Sequence, residues 1–352
     1  MHELFDYPTF ERDFLISHHV FTTSLDLMQE LIKRYSVKKE DMNPQAQPAT
    51  AVVNVLKDWI LMEYGNDFND NEAILKVVQE FFANQLSKDD PETAKELKEM
   101  LDIALALKPP YPVDLSKAPK PVAPKKTKGM FDFLAVSSLE IARQMTVMDE
   151  QMFHKVKAKE FLGGAWTKKD ANVRAPNLTQ FINHTNRIAA WVVSEILKQT
   201  TTSKITEAIT KFIQIGRELL ELRNYGGVMN ILTALHSAPL GKLKNAWINI
   251  PTRERKDFEE LTEALSLLGH FKNYRDTLKT LPASTACIPL IQVTCSDLNG
   301  LGEVFENTTT DGKINWDKHQ KVANHIWSIK RFMRARYVLK PVDVIQQYIL
   351  SA

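Results

Sequence analysis

The stretch Ala286–Tyr337, ACIPLIQVTCSDLNGLGEVFENTTTDGKINWDKHQKVANHIWSIKRFMRARY, reads as two helices that project as a hairpin. The first candidate helix follows Pro289 and is interrupted by Gly300 and Gly302. Each glycine costs about 1 kcal/mol against Ala inside a helix, so stability alone does not explain the segment. The second helix is stronger. Val322, Ile326, Ile329 and Met333 recur at helical spacing on one face, while Lys318, Lys321, Lys330 and Arg334 sit off it. A weak helix braced by a strong one reads as an inserted tool.

Composition bounds what that tool can serve. Lys+Arg 45 against Asp+Glu 43 gives a net charge of +2, and 25% charged with 44% hydrophobic residues is an ordinary globular balance. Nothing in it calls for nucleic acid. A chain of 352 residues has room for two domains with real cores. The two cysteines, Cys287 and Cys295, are too few for a disulfide framework and fit a reducing, cytoplasmic compartment. The start MHELFDYPTFERDF lacks the apolar core of a signal peptide, and no uninterrupted apolar run approaches membrane-spanning length. The end YILSA is not a prenylation box, so the sequence as given supplies no membrane anchor of its own.

The domain boundary is legible. Residues 109–128, PPYPVDLSKAPKPVAPKKTK, hold six of the 16 prolines together with many lysines, without glycine or apolar periodicity. Such a composition favours extended polyproline II and reads as a semi-rigid linker. Pro109-Pro110-Tyr111-Pro112 and Pro121-Val122-Ala123-Pro124-Lys125 could instead dock a Pro-binding module. Residues 1–108 form one domain and 129–352 the other.

In the first domain Phe14, Leu15, His18 and His19 precede Thr22-Thr23-Ser24, and Leu25, Met28, Leu31 and Ile32 recur on one face, with Thr23 or Ser24 as the cap. VVNVLKDWILMEYGNDF and NEAILKVVQEFFANQL add two amphipathic helices broken by Gly65-Asn66, and Pro91 opens a last one through Leu107. In the second domain Ile205, Ile209, Phe212, Gly216, Leu219 and Leu220 follow a buried helical stripe, with Thr202 or Ser203 as the cap. No alternating β-branched run suggests a sheet. The fold class is all-α: two irregular helical domains, the second with a protruding helical hairpin.

Several patterns lead nowhere. Asn307-Thr-Thr-Thr-Asp311-Gly312-Lys-Ile314 mimics a calcium loop, but its twelfth position is Lys318 where a bidentate Glu is needed, so it reads as a hairpin tip. Of the nine histidines only His18 and His19 are adjacent, and neither has a Cys or carboxylate partner at motif spacing, so no metal is predicted. No phosphate-binding glycine loop, dinucleotide fingerprint or nucleophile elbow is present, and no cofactor is expected.

The blocks INWDKHQKVANHIWSIKRF, with its N-(F/W)-x-K start, EIARQMTVMDEQMFHKV with FLGGAWTKKD, PNLTQFINHTNRIAAWVVSEIL, and ELRNYGGVMNILTALHSAPLGKLKNAW occur in the order found in Ras-type guanine-nucleotide exchange factors. From about Met130 to Pro341 the chain resembles their catalytic domain. FLISHHVFTTSLDLMQELIKRY resembles the Ras exchanger motif that accompanies it and braces the hairpin.

The resemblance implies an exchange catalyst for a Ras-family small GTPase of Ras, Rap or Ral type, making and breaking no covalent bond. A GTPase holds nucleotide with a phosphate cradle, a lysine and Mg²⁺, and release is hastened by a partner that competes for those groups. In the family the first hairpin helix places a nonpolar side chain near the metal and, one turn on, a glutamate at the phosphate site. Here those roles fall on Asn299 and Glu303, whose i, i+4 spacing puts both on one helix face. Asn299 departs from the family's apolar residue. Trp316 and Lys318 fall at the hairpin-supporting positions. Trp166, Phe181, Asn183, Asn186, Met229, Leu235, His236, Phe271 and Lys272 correspond to positions that grip the GTPase switch regions, and His236 stands where Asn is usual. The rival reading is a catalytically weak pseudo-exchange factor that binds GTPases as a scaffold. Membrane recruitment would come through the GTPase.

Overall fold

The computed structural model describes residues 9–37, 48–63, 66–69, 71–106, 112–122 and 132–351. The fold is all-α: the described residues contain no strand, and pairing is limited to isolated bridges at Asn224 with Ile288 and Thr308 with Ile314. The chain forms two compact units, one of Met1–Pro109, Lys157–Thr167 and Asp297–Ser328, the other of Pro110–Val156, Lys168–Ser296 and Ile329–Ala352.

The first unit is built on helices Thr9–Ser17, Ser24–Tyr35, Pro48–Glu63, Glu72–Phe81 and Pro91–Ala106. Thr23 caps the second of these by accepting from the Asp26 amide at 3.1 Å, as the sequence predicts. The face this helix buries runs through Leu27 and Met28, with Leu25, Leu31 and Ile32 half-buried. Met28, Leu56, Trp59, Ile60, Phe68, Ile74, Val78 and Leu97 form the core. The expected helix from Asn71 to Leu86 is interrupted by a π turn at Phe82–Leu86. The turn shifts the register so that the consecutive Phe81 and Phe82, and then Leu86, are all buried. Gly65 and Leu107 fall outside the described residues.

The second unit packs Ser138–Phe153, Pro176–Leu197, Thr202–Glu221 and Tyr225–Leu235, with Thr252–Ala264, Lys272–Thr280 and Asp343–Ser351 around them. At one end of its core Phe133, Trp191 and Phe212 meet, with the Phe133 and Phe212 rings stacked at 4.8 Å. The cap of Thr202–Glu221 is Thr201, one residue earlier than expected, because its extended backbone lets the hydroxyl accept from the Lys204 amide. A Cβ on Gly216 would stand 2.9 Å from Leu261 Cδ1, so glycine permits the close approach of the helix that carries Leu261.

Residues 112–122 are not uniformly extended: Asp114 caps a 3₁₀ turn at Leu115–Lys117, and the Val122 amide donates to Glu140 at 2.9 Å. Pro109–Tyr111 and the Ala123-Pro124-Lys125 part of the second Pro-rich motif lie outside the described residues. Cys287 and Cys295 are free and buried, and burial pushes each thiol up to about 12.

The hairpin helices are Ile291–Val304 and Trp316–Lys330. The first runs on through Gly300 and Gly302, since glycine weakens a helix without removing its hydrogen bonds, and Val293, Thr294, Cys295 and Leu298 are buried along it. Thr308 and Ile314 pair across a turn in which Gly312 takes φ 79° and the Thr309 amide donates to Lys313. In the second helix Ala323, Ile326 and Ile329 are buried, and Met333 follows in a 3₁₀ turn.

Candidate functional site

Asn299 and Glu303 lie one turn apart on Ile291–Val304, Asn299 half-buried and Glu303 exposed. Gly163 and Gly164, in a kinked 3₁₀ segment at Ala158–Thr167, adopt φ of 60° and 64°, a left-handed conformation that favours glycine. A Cβ on Gly164 would sit 3.5 Å from Asn299 Oδ1, so this backbone lies close against the candidate wedge. Trp166 follows on the same segment, half-buried, its ring edge-on to Phe161 at 6.3 Å.

Support comes from residues at the start of Trp316–Lys330. Lys318 was expected off the apolar face; instead it is buried, and its ammonium donates to the backbone carbonyl of Phe305 just past the end of the first hairpin helix. The long aliphatic stem explains the difference: it packs as an apolar chain while the charged end finds a carbonyl. Burial lowers the Lys318 pKa. Asn315 accepts from the Lys318 amide at 3.3 Å and donates to the Glu306 carbonyl at 3.0 Å, closing the same corner. Trp316 is half-buried against Phe10 and Phe14 of Thr9–Ser17.

The second unit carries the remaining candidates. Asn183 and Asn186 are exposed, three residues apart on Pro176–Leu197. Phe181 is only 1% exposed and lies 6.4 Å from Phe153, and Leu235 is 2% exposed, so both support a face from beneath. Met229 is half-buried on Tyr225–Leu235, and His236 is exposed just past its end, its ring 5.2 Å from Phe258. Phe271, at φ 62°, begins Lys272–Thr280 half-buried, while Lys272 is exposed and paired with Asp276.

A buried polar network fixes the helices that carry these groups. His184, between the two exposed asparagines, lies 2.8 Å from Asp149 Oδ1; Asn224 donates to Asp149 Oδ2 at 2.7 Å and accepts from the Gly227 amide at 2.8 Å. One carboxylate thereby ties Ser138–Phe153 to Pro176–Leu197 and to the cap of Tyr225–Leu235. Glu150, the next residue, holds Arg336 through two oxygens at 2.9 and 3.0 Å.

Leu267 and Leu268, which no sequence motif marks, are 75% and 79% exposed immediately before the Gly269 turn and Phe271. An apolar pair abutting a glycine and a further aromatic was the available signal, because exposed apolar clusters mark contact surfaces. Chemically, the first unit presents a carboxylate and an amide side by side, able to accept from cationic or amide donors; the second presents amides, apolar side chains and a cation, a composition suited to gripping protein.

The RasGEF domain profile matches residues 140–320, more than half of the chain, and the RasGEF N-terminal motif matches residues 1–81. Ras guanine nucleotide exchange factor J of Dictyostelium discoideum is 30% identical over 95% of this chain and 42% of its own length. Ras guanine nucleotide exchange factor P of the same organism is 29% identical over 96% of this chain and 23% of its own length. The human Ras-specific guanine nucleotide-releasing factor 1 is 27% identical over 85% and 23%. The chain thus spans less than half the length of these three relatives.

Proposed function

This chain belongs to the RasGEF domain family, and from that premise we propose that it promotes GDP release from a Ras-family small GTPase by inserting the hairpin helix Ile291–Val304 at the nucleotide site. The observation that carries the reading is the exposed Glu303 on the same helix as Asn299, one turn away and unburdened by burial. An anionic side chain can take up the positive groups that otherwise hold phosphate, which stabilises the nucleotide-free partner. Asn299 obstructs the metal site with an amide where the family uses an apolar group. Trp166, Asn183, Asn186, Met229, His236, Phe271 and Lys272 supply docking contacts, with Phe181 and Leu235 shaping the face from below. No helix among the described residues is long and apolar enough to cross a membrane, and membrane placement would come from the partner GTPase.

A second reading has its own observation. A Cβ on Gly300 or Gly302 would meet nothing within 4 Å among the described residues, so packing there demands neither glycine, and both leave the wedge weak. A hairpin weakened in this way fits a scaffold that binds GTPases without ejecting nucleotide. The deciding experiment is release of fluorescent GDP from a panel of Ras-, Rap-, Ral- and Rho-type GTPases with and without the protein. Acceleration of one Ras-type member supports exchange, and tight binding without release across the panel replaces it with the scaffold reading.

A further inference from the structure

We infer that His18, His19 and Asp67 form a binding site for a divalent transition-metal ion of the zinc class. The adjacent histidines lack a carboxylate at motif spacing in the sequence; the fold supplies one from 48 residues downstream of His19. The three side chains offer one ligand atom each, all within 4.8 Å of one another. His19 Nε2 lies 3.1 Å from Asp67 Oδ1, and His18 Nε2 lies 4.0 Å from Asp67 Oδ2. Ligands of a tetrahedral zinc, each about 2.0–2.2 Å from the ion, stand roughly 3.3 Å apart, close to the His19–Asp67 separation and shorter than the His18–Asp67 one, which a small side-chain rotation would have to close.

The surroundings orient the donors as a metal site requires. The His18 Nδ1–H donates to the Leu15 carbonyl at 2.7 Å, which leaves Nε2 as the lone-pair nitrogen, and Trp59 Nε1–H donates to Asp67 Oδ2 at 3.0 Å. A backbone carbonyl on the far nitrogen of a histidine and a donor on the carboxylate are the outer partners of metal-bound imidazole and carboxylate. The His18 and His19 rings lie with centroids 3.9 Å apart at a tilt of 33°, so both imidazoles stand beside Asp67 in one small space. His19 is 22% exposed, which gives an ion a route in, and the Ser24 hydroxyl donates to His18 Nε2 at 3.0 Å, a hydrogen bond that an ion at this nitrogen would replace.

The test uses the full chain, stripped with a chelator and titrated with Zn²⁺ by calorimetry and with Co²⁺ by visible absorption, without any GTPase, so that its outcome is independent of the exchange reading. One ion per chain is expected, with the intense visible bands of four-coordinate cobalt. His19→Gln, which keeps a polar group at a partly exposed position, should weaken binding at least tenfold while its circular dichroism stays wild-type. Asp67→Asn should do the same, with His19→Gln deciding if that variant is unfolded. Absence of stoichiometric binding to the wild type, or undiminished binding to folded His19→Gln, would overturn the site.

Discussion

The rings of Phe10 and Trp316 lie 4.8 Å apart at a tilt of 43°, fastening the first turn of the second hairpin helix to the N-terminal helix Thr9–Ser17. Phe14 joins the pair at 6.3 Å from Trp316, and Phe21 meets His319 edge-on at 5.4 Å. Further along the same helices, Arg12 stands over the Trp327 ring at 5.5 Å and donates to Asn324 at 2.6 Å. The hairpin is therefore held along three turns, by aromatic contact at its tip and by a cation further down.

Trp316→Ala removes the centre of that clamp. A half-buried aromatic truncated in this way should cost about 2–3 kcal/mol in denaturant unfolding. The cycle with Phe10→Ala should return a coupling of about 0.5–1.5 kcal/mol. GDP release should slow together with the loss of stability. An additive cycle would show that the two rings touch without mutual support.

Glu303→Ala is expected to separate chemistry from folding. The side chain is exposed, so unfolding free energy should move by no more than about 0.5 kcal/mol, while exchange falls strongly. Unchanged nucleotide release from this variant would take Glu303 out of the mechanism.

Trp166→Ala tests docking. Truncating an interface aromatic anchor commonly costs at least about 2 kcal/mol of binding, so affinity for nucleotide-free GTPase should drop roughly thirtyfold or more. Wild-type affinity in a folded variant would place the interface elsewhere.

How much of this was open to the sequence differs by residue. Thr23 was readable as a cap because capping is local, and Asn299 and Glu303 share a face by spacing alone. Lys318 was misplaced because hydropathy assigns a lysine by its charge and ignores its stem. Met229 and Leu235 could not be sorted into core or face from periodicity, which marks an apolar side without saying what covers it, and the structure buries Leu235 while leaving Met229 partly open. The partnerships of Asp67 with His19, of Asp149 with His184 and of Glu150 with Arg336 span 48, 35 and 186 residues, and no local pattern reports them. The π turn at Phe82–Leu86 was equally hidden, because the spacing of Phe81, Phe82 and Leu86 suits an unbroken amphipathic helix as well and does not mark where one residue is taken in.

Acid should destabilise the fold through His154. The residue is buried with no hydrogen-bond partner for Nδ1 among the described residues, and burial, followed by the nearby Arg336 cation, pushes its pKa down to about 3. The unfolded chain takes up this proton near 6.5, so between those values the unfolded state binds more protons. Stability is fully present above about pH 6.5 and falls as pH drops toward 3, by up to about 1.4 kcal/mol per pH unit for this one group. Urea unfolding at pH 7 and pH 5 should show a smaller loss in His154→Gln than in the wild type. An equal loss in both would assign the acid sensitivity to other groups.

Asn299→Leu decides between a working wedge and a scaffold. If the amide only tunes a functional wedge, leucine restores the family's apolar character beside the metal site and should raise the exchange rate severalfold. Docking should change little, because the side chain acts only once the metal is displaced. The glycines supply the control. Since added Cβ atoms on Gly300 and Gly302 would meet open space, Gly300→Ala and Gly302→Ala should each stabilise the helix by up to about 1 kcal/mol without a clash. A functional but weakened wedge therefore predicts measurable wild-type exchange, faster in Asn299→Leu, faster again when the alanines stiffen the helix, and lost when Glu303→Ala is added to either. A hairpin disabled by its glycines predicts no gain from Asn299→Leu alone and a gain only with the alanines present. Tight GTPase binding with no nucleotide release in any of these variants would leave the scaffold reading standing in place of exchange.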